Sequence, residues 1–179
     1  MIPEEDRKAL LRIARRSIES ALRGVSFTAE ISGAGPTTEP RGAFVTLTRG
    51  GKLRGCIGRI SADAPLAGVV AEMAVAAAKD DHRFPPVTPD ELSDIRIEIS
   101  ALTPLRRVAD PGEIEVGRHG LLVRKGPCSG LLLPQVAAEE KWDVPAFLEH
   151  TCRKAGLPPG AWKEGAEIEA FEAEVWGEE

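Results

Sequence analysis

The residues best equipped for chemistry lie together in Leu53-Arg54-Gly55-Cys56-Ile57-Gly58. A guanidinium two residues from a thiol, on the same face of a strand, favours the thiolate, which is the nucleophilic form of cysteine. Gly55 and Gly58 flank the cysteine, although glycine weakens a strand and packs nothing. Such residues mark a bulge or a place where something approaches the backbone closely. The competing reading is a structural thiol, since free cysteine is among the most buried residue types. Residue types alone leave both readings open.

A cysteine nucleophile needs a base within reach. His82 lies in Asp81-His82-Arg83-Phe84-Pro85-Pro86, a loop stiffened by prolines after a helix. His119, in Gly117-Arg118-His119-Gly120, stands at the entrance of an expected hairpin. Both are candidate bases, and both have structural alternatives: His82 as a cap on its helix, His119 as a turn residue. Arg54, Gly55, Gly58, Arg83 and Gln135 are the candidate ligand-binding residues. For Gln135, between Pro134 and Val136, a hydrogen bond to backbone is the competing role. His150 and Cys152 sit two apart on an expected helix and point to different sides, so they form no dyad. Cys128 falls in a polar turn and reads as an incidental thiol. Glu98 is expected to face solvent.

These residues are positioned by a predicted hairpin: strand Ala43 to Thr48, a primed turn at Gly50-Gly51, and return strand Lys52 to Ile60. A strict register sets Val45 opposite Cys56 and Leu47 opposite Arg54, with Arg54, Cys56 and Gly58 on one face. Around it, periodicity predicts helices at Pro3 to Arg23, with arginines 12, 15, 16 and 23 on a solvated face, and at Pro65 to Lys79, capped by Asp63. Ser32 to Arg41 reads as a loop, and Thr88-Pro89-Asp90-Glu91 as a capping box. Ile95 to Leu102 alternates as a half-buried strand. A second hairpin follows around Gly126-Pro127, then a helical turn at Val136 to Glu140. A helix at Val144 to Ala155 is capped by Asp143 and stopped by Gly156. Glu167 to Trp176 is a terminal strand with Phe171, Ala173 and Val175 on one side. Tight hairpins among interspersed helices give an α+β class, a mainly antiparallel sheet with packed helices.

Composition narrows the function. The chain has 179 residues, 42 % hydrophobic and 28 % charged, enough for one sizeable core or two small ones. The net charge of -5 and a pI near 5.4 give no global attraction to nucleic acid or anionic membrane. Tyrosine is absent and aromatics total 4 %, which disfavours base stacking on an aromatic platform. Three cysteines without a CxxC argue against a disulfide framework and a zinc site. No dinucleotide, Walker, HExxH or GxSxG motif occurs, so no cofactor or metal is expected. The opening residues lack the pattern of a signal peptide and no apolar run has the length of a membrane span; a cytoplasmic protein with no membrane partner is expected.

The hexapeptide at Leu53 to Gly58 resembles the signature of the AMMECR domain family, whose prokaryotic members are called AmmeMemoRadiSam system protein A. Gly42-Ala43-Phe44-Val45-Thr46-Leu47, Asp81 to Val87, Leu131 to Ala137 and Lys154-Ala155-Gly156-Leu157-Pro158 are similar to further family blocks in the same order. The resemblance implies one domain over residues 1–179, of α+β fold with two intertwined subdomains. It also implies Memo-like and radical SAM partners in the modification of an RNA, a small molecule or another substrate. This chain has no Cys-x3-Cys-x2-Cys cluster motif, so radical chemistry would belong to a partner. Two functions follow: an enzyme or enzyme component using Cys56 and Arg54, or a non-catalytic adaptor whose hairpin binds a ligand or protein.

Overall fold

A computed structural model describes residues 1–29 and 35–178. The fold is α+β, and the chain divides into two compact units: Met1–Leu102 with the residues from Glu174 onward, and Thr103–Ala173. The chain leaves the first unit at Thr103 and re-enters it at Glu174 within a single strand.

In the first unit, helix α1 (Glu4–Leu22) carries Leu10, Ala14 and Ile18 on one buried stripe, the spacing that makes it amphipathic. Gly24 stops it at φ +69°, a left-handed conformation that glycine adopts without steric cost. Strands β1 (Ala43–Arg49) and β2 (Lys52–Arg59) form the expected hairpin, with φ of +58° and +73° at Gly50 and Gly51. Helix α2 (Leu66–Lys79) packs on that hairpin through Leu66, Val69, Val70 and Met73, and also against α1. Strand β3 (Ile95–Leu102) pairs with β1 and buries Ile95, Ile97 and Ile99. The unit's sheet therefore runs β2-β1-β3, leaving β2 at an edge.

Three local expectations are corrected here. Helix α2 has no side-chain cap: Pro65 holds the capping position, and Asp63, two residues earlier, is engaged by Ser61 and Arg59. Arg15 does not lie on a solvated face: it binds the carbonyls of Leu92 and Ile95 and the Glu178 carboxylate. The loop expected over Ser32 to Arg41 lies partly outside the described residues, which resume at Gly35.

The second unit holds β4 (Arg106–Arg107), β5 (His119–Lys125), β6 (Cys128–Leu132), α3 (Pro134–Glu139), α4 (Val144–Lys154) and β7 (Glu167–Gly177) up to Ala173. Its strand order is β6-β5-β7-β4, all antiparallel. Asp143 caps α4 by accepting from the Ala146 N–H at 2.9 Å, and Gly156 ends it at φ +75°. Phe147, Leu148 and Cys152 from α4 meet Leu121, Val123 and Ile168 in a separate core. Cys128 is the first residue of β6 rather than part of the turn, because Gly126-Pro127 alone makes it. On β7 the buried residues are Ile168, Ala170 and Phe171, whereas Val175 is exposed. Among the described residues no helix is long and apolar enough to cross a membrane.

Candidate functional site

The β1–β2 ladder is not the strict one. Arg49 pairs with Lys52 and Thr48 with Leu53, but Leu47 then pairs with Gly55, so Arg54 is an extra residue on β2. This bulge shifts every later pair by one. Thr46, not Val45, lies opposite Cys56, and Ile57 lies opposite Val45. Val45 and Leu47 are fully buried in the core, so the bulge carries Cys56 off the core side and onto the Thr46 side.

The thiol is partly exposed, and the Thr46 hydroxyl donates to its Sγ at 3.3 Å. On the other side of β1, Thr46 pairs with Glu98 of β3, which is exposed as expected. Cys56, Thr46 and Glu98 thus form one cross-strand row. The Cys56 backbone is held by the loop after α2. Its N–H donates to Asp81 Oδ2 at 2.8 Å, and its carbonyl lies 3.5 Å from Arg83 Nη2. Arg83 grips the Asp81 carboxylate with Nε at 2.9 Å and Nη2 at 2.7 Å, a fork-to-fork pair. These two side chains occupy backbone groups that an edge strand would otherwise present unpaired.

The electrostatics follow from that geometry. The Arg83 guanidinium holds the buried Asp81 carboxyl far below the usual carboxylate range, overcoming the effect of burial, with the N–H groups of Cys56 and Arg83 adding to it. Asp81 in turn raises Arg83, and the negative charge of an ionised Cys56 adds a smaller pull in the same direction. Arg83 keeps 48 % of its side chain exposed, and its Nη1 has no partner among the described residues.

Arg54, the cation expected beside the thiol, is engaged elsewhere. Its Nε and Nη2 bind Glu91 at 2.9 Å each, and Nη1 donates to the Pro85 carbonyl at 2.9 Å. Glu91 is also the acid of the Thr88 capping box, formed as expected. Arg54 holds its carboxyl down at about 2. Arg54 therefore ties β2 to the 85–91 segment. The expected close approach at the glycines is also made by the chain itself. A Cβ on Gly55 would lie 2.1 Å from the Ala77 carbonyl oxygen of α2, and one on Gly58 would lie 2.1 Å from the Phe44 ring.

His82 is exposed between Asp81 and Arg83, with no hydrogen-bond partner among the described residues. His119 belongs to the second unit, where it is buried and its Nδ1 accepts from the Glu115 N–H at 3.0 Å. Gln135 lies on the first turn of α3 and is exposed. Cys152 is fully buried, and burial pushes its thiol up. His150 stacks on Trp142 at 3.9 Å. Among the described residues no group of His, Cys, Asp or Glu is arranged to hold a metal ion.

Sequence reasoning missed Thr46 and Asp81. The Thr46 contact depends on the bulge, which leaves no mark in residue spacing. Asp81 had a readable signal, an acid two residues before an arginine in a loop made rigid by Pro85-Pro86.

Comparison with known proteins agrees with this fold. The AMMECR1 family profile matches residues 11–176. A protein of Methanosarcina mazei is 45 % identical over 187 residues, covering 99 % of this chain and 94 % of that one. A protein of Methanopyrus kandleri is 45 % identical over 185 residues, covering 98 % and 89 %. The crystal structure of an uncharacterized protein from Pyrococcus horikoshii superposes with a TM-score of 0.89 at 42 % identity, covering 99 % of this chain and 94 % of that one. Matched along nearly its whole length in sequence and in fold, the chain belongs to the AMMECR1 family.

Proposed function

We propose that Cys56 is the reactive centre of an enzyme or enzyme component, with Arg83 in place of Arg54 as the cation beside the thiol. The observation that carries this reading is a partly exposed thiol that accepts a hydrogen bond from Thr46 on a backbone pinned by the Asp81–Arg83 pair. A hydrogen bond donated to the sulfur orients it and supports negative charge as it reacts. The unengaged Nη1 of Arg83 is suited to an anionic substrate group. His82, exposed in the same unit, takes the role of base on this reading. The family likeness supports a Memo-like protein and a radical SAM enzyme as partners, with an RNA or small molecule as the substrate modified.

The adaptor reading relied on Arg54 and on the glycine backbone being open to a ligand. Glu91 occupies the first, and Ala77 and Phe44 crowd the second, so the geometry supports it less.

The test is alkylation of the folded protein with iodoacetamide, read at each cysteine by peptide mapping. Cys56 is expected to label first, Cys152 only on unfolding, and Thr46→Val to slow Cys56 several-fold. A Cys56 that stays silent until the protein unfolds overturns the reading.

A further inference from the structure

The second unit contains a cavity unrelated to Cys56. It has a volume of about 620 Å³ and lies between the segment after β4 and the 3-10 turn Pro159–Lys163. That volume suits a small molecule. Val108, Pro111 and Ile168 give it an apolar lining, and Trp162, Arg107 and Lys163 give it chemistry.

Two observations converge on the charge and shape of an occupant. First, no acidic residue lines the cavity, and neither Arg107 nor Lys163 has a carboxylate partner among the described residues. The nearby carboxylates face other partners: Glu169, opposite Arg107 in the β4–β7 ladder, is ion-paired with Arg124 at 3.0 Å, although its buried Oε2 makes no aligned hydrogen bond. Asp110 accepts from the Gly112 N–H at 2.7 Å, and Glu113 binds Arg106. Second, the Lys163 ammonium lies 4.8 Å from the centroid of the Trp162 ring, so positive charge and a flat aromatic surface are adjacent.

We propose that this cavity binds a small aromatic molecule bearing an oxyanion, carboxylate or phosphate. Arg107 and Lys163 meet the oxyanion, and the apolar lining and Trp162 take the ring.

The full chain labelled with ¹⁵N shows an indole N–H resonance for each of Trp142, Trp162 and Trp176, assigned by single substitution to Phe. The probes are 2-naphthoate, 2-naphthyl phosphate, neutral 2-naphthalenemethanol, acetate and inorganic phosphate. At least one naphthyl anion is expected to shift the Trp162 resonance saturably, and the better of the two identifies the oxyanion. The neutral alcohol, acetate and inorganic phosphate should bind at least about tenfold more weakly. Arg107→Gln and Lys163→Gln, both at exposed positions, should each weaken the anion while leaving the Trp142 resonance of the same unit in place. The proposal is overturned by no saturable shift with either anion. Equal affinity for the neutral alcohol, or unchanged affinity in both Gln variants, overturns it as well.

Discussion

Replacing Asp81 with Asn tests the clamp on the Cys56 backbone while keeping side-chain size. The carboxylate accepts from Cys56 N at 2.8 Å, Arg83 N at 3.2 Å, Arg83 Nε at 2.9 Å and Arg83 Nη2 at 2.7 Å. Each oxygen takes two donors, so an amide turned either way sets its NH₂ against two N–H groups. Removing one partner of a buried ion pair costs about 3–5 kcal/mol. Arg83 is 48 % exposed, so water recovers part of its loss, and the net cost is about 2–3 kcal/mol. For a chain of this length that lowers Tm by about 5–10 °C.

The sign with pH is also set. A carboxyl whose folded pKa is depressed adds stability above its unfolded value of about 3.9, and this is lost as pH falls toward the folded value. The gap between wild type and Asp81→Asn should therefore be full at neutral pH and narrow below about pH 4. The assays are thermal unfolding followed by circular dichroism and hydrogen exchange at the Cys56 amide, which loses its acceptor in the variant. A Tm within about 1 °C of wild type, with Cys56 exchange unaltered, refutes the clamp.

Other substitutions probe the frame around it. Gly55→Ala sets a Cβ against the Ala77 backbone and should cost about 3 kcal/mol in urea unfolding. Gly58→Ala meets the half-buried Phe44 ring, a side chain rather than backbone, so it should cost less, and the reverse order would contradict the packing described. Glu91→Gln removes the partner of Arg54. Its destabilisation should be present above the unfolded glutamate value and fade as pH falls from about 4.3 toward about 2, checked by unfolding across that range. Gly130→Ala drives a Cβ to 2.2 Å from the Ala155 N at the end of α4 and should destabilise the second unit, seen in the fluorescence of Trp142 and Trp162.

Much of the frame was legible because its signals are local. The 3.6-residue stripe of α1, the strict alternation of Ile95 to Leu102, the Gly50-Gly51 turn and the caps at Thr88 and Asp143 all depend on neighbours in sequence. Arg15 was misread because a charged side chain has the same local pattern whether it meets water or a distant carbonyl, and Asp63 because the helix begins only at Leu66, with Pro65 at the cap.

The sequence by itself determined the α+β class, most element positions and the hairpin that holds Cys56, since hydrophobic period and turn chemistry are written residue by residue. Tertiary structure alone decided the company the thiol keeps. One bulged residue at Arg54 replaces Val45 by Thr46 opposite Cys56, because the side-chain period of a strand is two and a one-residue slip exchanges its faces. The hold of Arg83 on the Cys56 carbonyl and of Glu91 on Arg54 rests on contacts 27 and 37 residues apart in sequence, which no local pattern encodes.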